Sequence, residues 1–176
     1  TGAAQTALAA DDKGTLDLGE YQNVDCIRAR DGLVYAAVYD GAALKKRQSD
    51  LVRTDGGHTA AVLTVDGELT GFAFDGSGDL WLSILTPGGG SLCRAAHDSW
   101  GTAVEQVVPQ IDGAPLGAVS AVEAEPDGRI YFAVAAAAGA ADGLESTLRT
   151  ELLAHTGTGC VYVYDPAARS VQKVLG

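Results

Sequence analysis

Three hairpins of one design recur along the chain, and they restrict its fold more tightly than anything else in it. Around Asp31 the sequence reads YQNVDCIRARDGLVYAAVYD, around Gly78 LTGFAFDGSGDLWLSILT, and around Gly128 VSAVEAEPDGRIYFAVA. Each unit has an apolar strand pattern, a turn containing Gly32, Gly78 or Gly128, and a second strand with an aromatic soon after the turn: Tyr35, Trp81 or Tyr131. Glycine takes a positive φ at low cost, which tight hairpins require. The glycines recur at intervals of about 50 residues, the range of propeller-type repeats.

The last unit continues past an Ala-rich connection and a helix-like run into GTGCVYVYDPAARSVQKVL. Strand, turn, strand, excursion, strand, turn, strand makes a four-stranded antiparallel sheet, the size of one β-propeller blade. The expected fold is therefore all-β: half of a β-propeller, three four-stranded antiparallel blades with one short helix inserted in the last. Segment 1–14 is small and polar and is expected to fray. Residues 15–176 form one propeller-like domain, with blades at about 15–66, 67–115 and 116–176. Tyr131 and Trp81, placed alike after their glycines, are expected in the core.

The helix falls in ADGLESTLRTELLAHTGTG. Leu144, Leu148 and Leu152 recur every fourth residue, Asp142 is placed to cap the start with Glu145 behind it, and Gly157 is placed to end it. Two roles stay open: a lid over one mouth of the propeller, carried by Leu144, Leu148 and His155, or packing that covers sheet edges.

The formal charge of −11 opposes binding to nucleic acid or anionic lipid, and no apolar run approaches a membrane span, so neither nucleic-acid binding nor membrane insertion is expected. Lys45-Lys46-Arg47 reads as a solvated cluster. Cys26, Cys93 and Cys160 have no metal-binding spacing and read as buried thiols where they fall in strands. His97, Asp98 and Ser99 are adjacent in a loop, an arrangement that rarely converges on one proton. Pro87-Gly88-Gly89-Gly90 is followed by a strand, not a helix, and so reads as a hairpin loop and not a phosphate cradle. The compartment is left open.

From about Tyr21 to Leu175 the chain resembles the strictosidine synthase-like family of six-bladed propellers, relatives of the gluconolactonase and paraoxonase group. The matching residues are densest in the last blade: Asp127-Gly128, Ile130-Tyr131-Phe132, Gly159, Val161-Tyr162-Val163-Tyr164-Asp165-Pro166, and Val171 to Leu175. Thr70 to Asp75 and Gly78 to Leu82 are similar to the family's middle-blade pattern. The resemblance implies an axial pocket, for which Asp25, Thr70 and Ser120 are the candidates. It also implies what is missing. The family's Asn-Asp pair is Ser120-Ala121, and two further acidic positions are Ile84 and Val134. A hard cation needs several oxygen ligands, so no metal site and no cofactor are expected, and the catalytic residues are unassigned.

Two functions follow. One is a module that binds a small molecule or a partner and has lost the family's catalytic and metal residues. The other is a hydrolase or lyase-like enzyme, of lactonase, esterase or strictosidine synthase type, acting in the axial pocket of a completed ring. Three blades do not close a ring. The chain is expected to be a fragment, a homodimer or complex with a completing half, or an open half with a protected face. In the paired case the face around Val34 to Val38 would meet the face around Val161 to Tyr164 of the other copy.

Overall fold

The computed structural model describes residues 18, 21, 23–39, 48–136, 143–154 and 157–176. Segment 1–14, Lys45-Lys46-Arg47, Asp142 and His155 lie outside the described residues. Blade 1 comprises β1 (Asn23–Arg30), β2 (Leu33–Tyr39), β3 (Gln48–Thr54) and β4 (Thr59–Asp66). Blade 2 comprises β5 (Glu68–Phe74), β6 (Leu80–Thr86), β7 (Gly89–Ala95) and β8 (Glu105–Val108). A small hairpin, β9 (Gln110–Ile111) and β10 (Ala114–Pro115), leads into blade 3: β11 (Val119–Ala124), β12 (Ile130–Val134), β13 (Cys160–Asp165) and β14 (Ser170–Leu175). In each blade the strands pair antiparallel in sequence order. The helix α1 (Leu144–Ala154) is inserted between β12 and β13. The fold is the all-β half-propeller with one helix that the repeats predict. The hairpin glycines Gly32, Gly78 and Gly128 have φ of 77°, 90° and 87°.

Blade 2 is the centre of the packing. Every residue of β6 from Leu80 to Leu85 is buried, as befits a strand covered on both faces. Leu80, Leu82, Ile84 and Phe72 join Tyr35, Leu51 and Leu63 of blade 1 in one cluster. Trp81, Ala73 and Leu92 join Val122, Ile130, Phe132 and Tyr164 of blade 3 in a second. Trp81 is in the core as expected: its ring lies 5.8 Å from that of Tyr164, and its Nε1–H donates to Asp75 Oδ2 at 2.9 Å. Trp100 packs against the first cluster, with its ring 5.5 Å from Phe74.

Tyr131 corrects the expectation made for it. Side chains alternate between faces along a strand. Ile130 and Phe132 point at blade 2 and are buried, whereas Tyr131 and Ala133 point the other way and are half-buried. Phe132 stacks on Tyr162 at 5.5 Å, while the Tyr131 ring has only the Arg129 guanidinium at 5.9 Å. Turn position is shared among the three hairpins; what lies beyond the face is not.

The two outer faces also differ. On blade 1, Ala36, Val38 and Val52 are buried, and Leu18 and Tyr21 pack against them. Tyr21 Oη donates to Asp50 Oδ2 at 2.7 Å, which fastens this cover. The Val34–Val38 face, expected to be open to a second copy, is thus covered at Ala36 and Val38 by the chain itself. On blade 3, Tyr131, Ala133 and Val161 are half-buried and Leu175 is 65 % exposed.

Substituting Phe132 by Ala is expected to cost about 3–5 kcal/mol, and Tyr131 by Ala about 1 kcal/mol or less. Urea unfolding of the two variants checks this. Equal losses would mean that both faces of blade 3 are covered alike.

Candidate functional site

The axial candidates occupy equivalent positions. In the first strand of each blade the pairing register slips once: between Val24 and Cys26, between Leu69 and Gly71, and between Val119 and Ala121. The extra residues are Asp25, Thr70 and Ser120. A β-bulge re-aims its residue, and bulges gather at barrel rims and active sites. The structure therefore gives all three the same local geometry at the inner edge of successive blades.

Their environments differ. Thr70 is buried; its hydroxyl donates toward the carbonyl oxygens of Val119 at 3.0 Å and Ser83 at 3.1 Å and lies 2.9 Å from Ser83 Oγ. It pins blade 2 to blade 3 with its one proton and is buried among its partners. Ser120 is half-buried. Asp25 is exposed, yet its carboxyl is pushed up to about 6, first by desolvation and then by the negative charge of Glu68. The Tyr39 phenol is pushed up too, by burial and then by Asp25, Glu68 and Glu145. Asp25, Glu68, Glu145 and Tyr39 thus lie in one acidic field.

Glu68 has a second role that the sequence hides. Its Oε2 accepts the backbone N–H of Leu144 at 2.9 Å. A helix start leaves backbone donors unpaired and favours negative charge, so this carboxylate caps α1 from another blade. Leu144 then packs on Leu85 and Ala118. Beyond that first turn the helix does not close over the mouth with its leucines: Leu148 is 41 % exposed and Leu152 73 %. Thr147 is its buried residue instead, with Oγ1 donating to Gly143 O at 2.8 Å. Of the three residues offered as a lid, Leu144 packs inward, Leu148 is partly exposed, and His155 is outside the described residues. Glu68 and Tyr39 were missed by motif reading, and Glu145 was read only as part of the helix start; the available signal was that Glu68 precedes the bulge residue Thr70 on the same strand.

Among the described residues no three His, Cys, Asp or Glu side chains are grouped to hold a metal ion. The cysteines are free thiols, Cys93 buried and the other two half-buried. His97–Ser99 is a single 3₁₀ turn, with the His97 ring 5.3 Å from that of Trp100 and no contact joining its three side chains. The Gly-rich loop is the β6–β7 hairpin. Gly90 N–H donates to Leu116 O at 2.9 Å, and a Cβ on Gly90 would sit 2.4 Å from Gly117 O. Glycine is required there because the entry to blade 3 lies against the backbone.

The sign of the Asp25 effect on stability follows from its raised value. The folded state holds the proton more tightly than the unfolded chain, so stability falls as pH rises from about 4 through 6 and stays lower above that. Asp25→Asn is therefore expected to melt higher than the parent at pH 7, with the gap closing toward pH 4. Scanning calorimetry across that range checks it; a gap that widens on acidification would assign Asp25 a stabilising partner instead.

No family model matches the sequence, and no curated protein matches it by sequence. Solved structures share its fold. A gluconolactonase from Xanthomonas campestris aligns with TM-score 0.54 and 17 % identity over 80 % of this chain and 42 % of its own. The calcium-binding protein regucalcin from Agrobacterium tumefaciens aligns with TM-score 0.52 and 11 % identity over 81 % of this chain and 41 % of its own. A puromycin hydrolase mutant aligns with TM-score 0.58 and 13 % identity over 89 % of this chain and 22 % of its own. The chain spans about two fifths of the length of the first two. It has the fold of the gluconolactonase and regucalcin-type six-bladed β-propellers.

Proposed function

We propose that this chain is a propeller half that acts as a binding module for a small molecule or a partner, of the strictosidine synthase-like kind, with the metal and catalytic set of such propellers lost. One observation carries the reading. Of the three equivalent bulge positions, one holds a carboxylate, one a half-buried serine, and one a threonine consumed in blade packing. A hard cation takes six or more oxygen ligands, and this set does not supply them. Calorimetric titration with calcium is expected to be flat up to about millimolar metal. A saturable heat in the micromolar range would overturn the reading.

A second reading, a hydrolase or lyase-like enzyme working in the axial pocket of a completed ring, has one observation in its favour. The Asp25 carboxyl is pushed up to about 6 by desolvation and by Glu68, toward the range where a carboxyl can exchange a proton near neutral pH. Turnover of small lactones that is lost in Asp25→Asn would favour it over the binding module.

The module also needs a neighbour. The outer face of blade 3 leaves Tyr131, Ala133, Val161 and Leu175 partly or largely open, and a sheet face of this kind invites apposition. Docking therefore runs through blade 3, with a second copy or a completing half apposed to it, while Leu18 and Tyr21 cover part of blade 1 and would have to move aside for a ring to close. Light scattering is expected to give a dimer that Val161→Asp converts to a monomer. A monodisperse parent monomer at micromolar concentration would refute pairing of copies.

A further inference from the structure

A groove of about 720 Å³ opens between blades 2 and 3, at the end of β5 that carries Asp75. Glu68 and the axial mouth are at the other end of the same strand, roughly 20 Å away at the rise of an extended chain. The groove is thus a separate site. Its volume falls within the range of small-molecule pockets.

The charges along it are not equivalent. Both oxygens of Asp75 are in use: Oδ1 accepts Ser77 N–H at 2.9 Å, Ser77 Oγ–H at 2.7 Å and Asp79 N–H at 3.0 Å, and Oδ2 accepts Trp81 Nε1–H. Asp79 accepts Arg94 Nε–H at 2.8 Å through Oδ2 and His97 N–H at 2.8 Å through Oδ1. Arg94 is therefore neutralised by Asp79, and it also lies 4.0 Å from Glu105 at the rim. Arg169 is different. Among the described residues its side chain makes no hydrogen bond or ion pair, so it is the cation of the groove's lining that has no carboxylate partner, whereas Asp75, whose donors are all neutral, and Glu105 keep their negative charge.

The backbone at Arg169 is also unusual. It has φ of 49° in the β13–β14 turn. The β3–β4 and β7–β8 connections also hold left-handed residues, Gly56 and Gly101, at other positions of their loops, and Asp31 and Asp112 share the φ of Arg169 at 52° each. Glycine is the residue such a φ favours, and arginine there carries backbone strain. The walls beside it are apolar or aromatic: Trp81, Tyr164, Pro109 and Pro166.

We propose that this groove binds a small organic monocarboxylate with a flat apolar body, its carboxylate paired with the Arg169 guanidinium and its body laid between Pro109 and Pro166 over the Trp81–Tyr164 floor. A guanidinium forks onto a carboxylate with two parallel hydrogen bonds. Glu105 at the rim selects against more highly charged anions by repulsion.

The test uses 4-fluorobenzoate as probe, followed by fluorine NMR, with neutral 4-fluorobenzamide and cationic 4-fluorobenzylammonium as controls. The benzoate is expected to give a saturable shift that neither control gives. Arg169→Gly keeps the turn and relieves its strain, so its melting temperature is expected to hold or rise while benzoate affinity falls by about tenfold or more, the share of a charge-assisted pair. Benzoate that fails to saturate up to its solubility limit, amide that binds as well as benzoate, or Arg169→Gly that binds as well as the parent would each overturn the proposal.

Discussion

The burial of both faces of blade 2 is the constraint on which the rest of the molecule depends. A sheet with one wet face can stand against a single neighbour; β6, buried from Leu80 to Leu85, needs one on each side. The neighbours are then held at fixed distance by contacts with little tolerance. Thr70 reaches across to Val119 O, and Gly90 lies against the backbone at Leu116 and Gly117 so closely that a methyl group there has no room. Because β5 is clamped to β11 in this way, the bulges of neighbouring blades come into line, and the axial mouth follows from core packing without a separate device to build it.

Much of this was legible in the sequence wherever the cause was local. Left-handed turns need glycine, and Gly32, Gly78 and Gly128 marked the hairpins. Period-two apolar runs marked the strands, and leucines at fourfold spacing marked α1. What was not legible depends on residues far along the chain. Tyr131 has the same turn offset as Trp81 but faces away from blade 2, and no local pattern says on which side a neighbour stands. The cap of α1 comes from Glu68, a residue 76 positions away. Thr70 was found as a candidate by position, but its inward turn is decided by Val119 O, 49 positions away. The leucine stripe gave the helix and not its exposure, since Leu152 repeats Leu144 in spacing while standing in water.

Residues that break the local rules sort by place. The two clusters between blades largely obey them: apolar side chains interlock, and the buried polar groups Thr70 and Ser83 satisfy one another, while the indole N–H of Trp100 beside the first cluster is buried without a partner among the described residues. The other exceptions lie outside those clusters. Asp25 keeps a carboxyl beside Glu68 at a cost in stability near neutral pH. Arg169 occupies the left-handed backbone region that glycine favours. Leu175, Tyr131 and Val161 leave apolar surface open on one outer face, although the opposite outer face is covered by Leu18 and Tyr21.

That separation bears on function. A feature that lowers stability and contributes nothing to the core is retained for some other reason or drifts away, because the substitutions that would relieve it are simple: asparagine for Asp25, glycine for Arg169, a polar residue for Leu175. The three exceptions are also chemically distinct. Asp25 stands in an acidic field, the groove between blades 2 and 3 has in Arg169 a guanidinium without a carboxylate partner, and the blade 3 face is apolar. They sit on three different parts of the half-propeller. One ligand does not account for all of them, so the scaffold is better understood as holding several surfaces in fixed relation, with blade 2 as the rigid body between them.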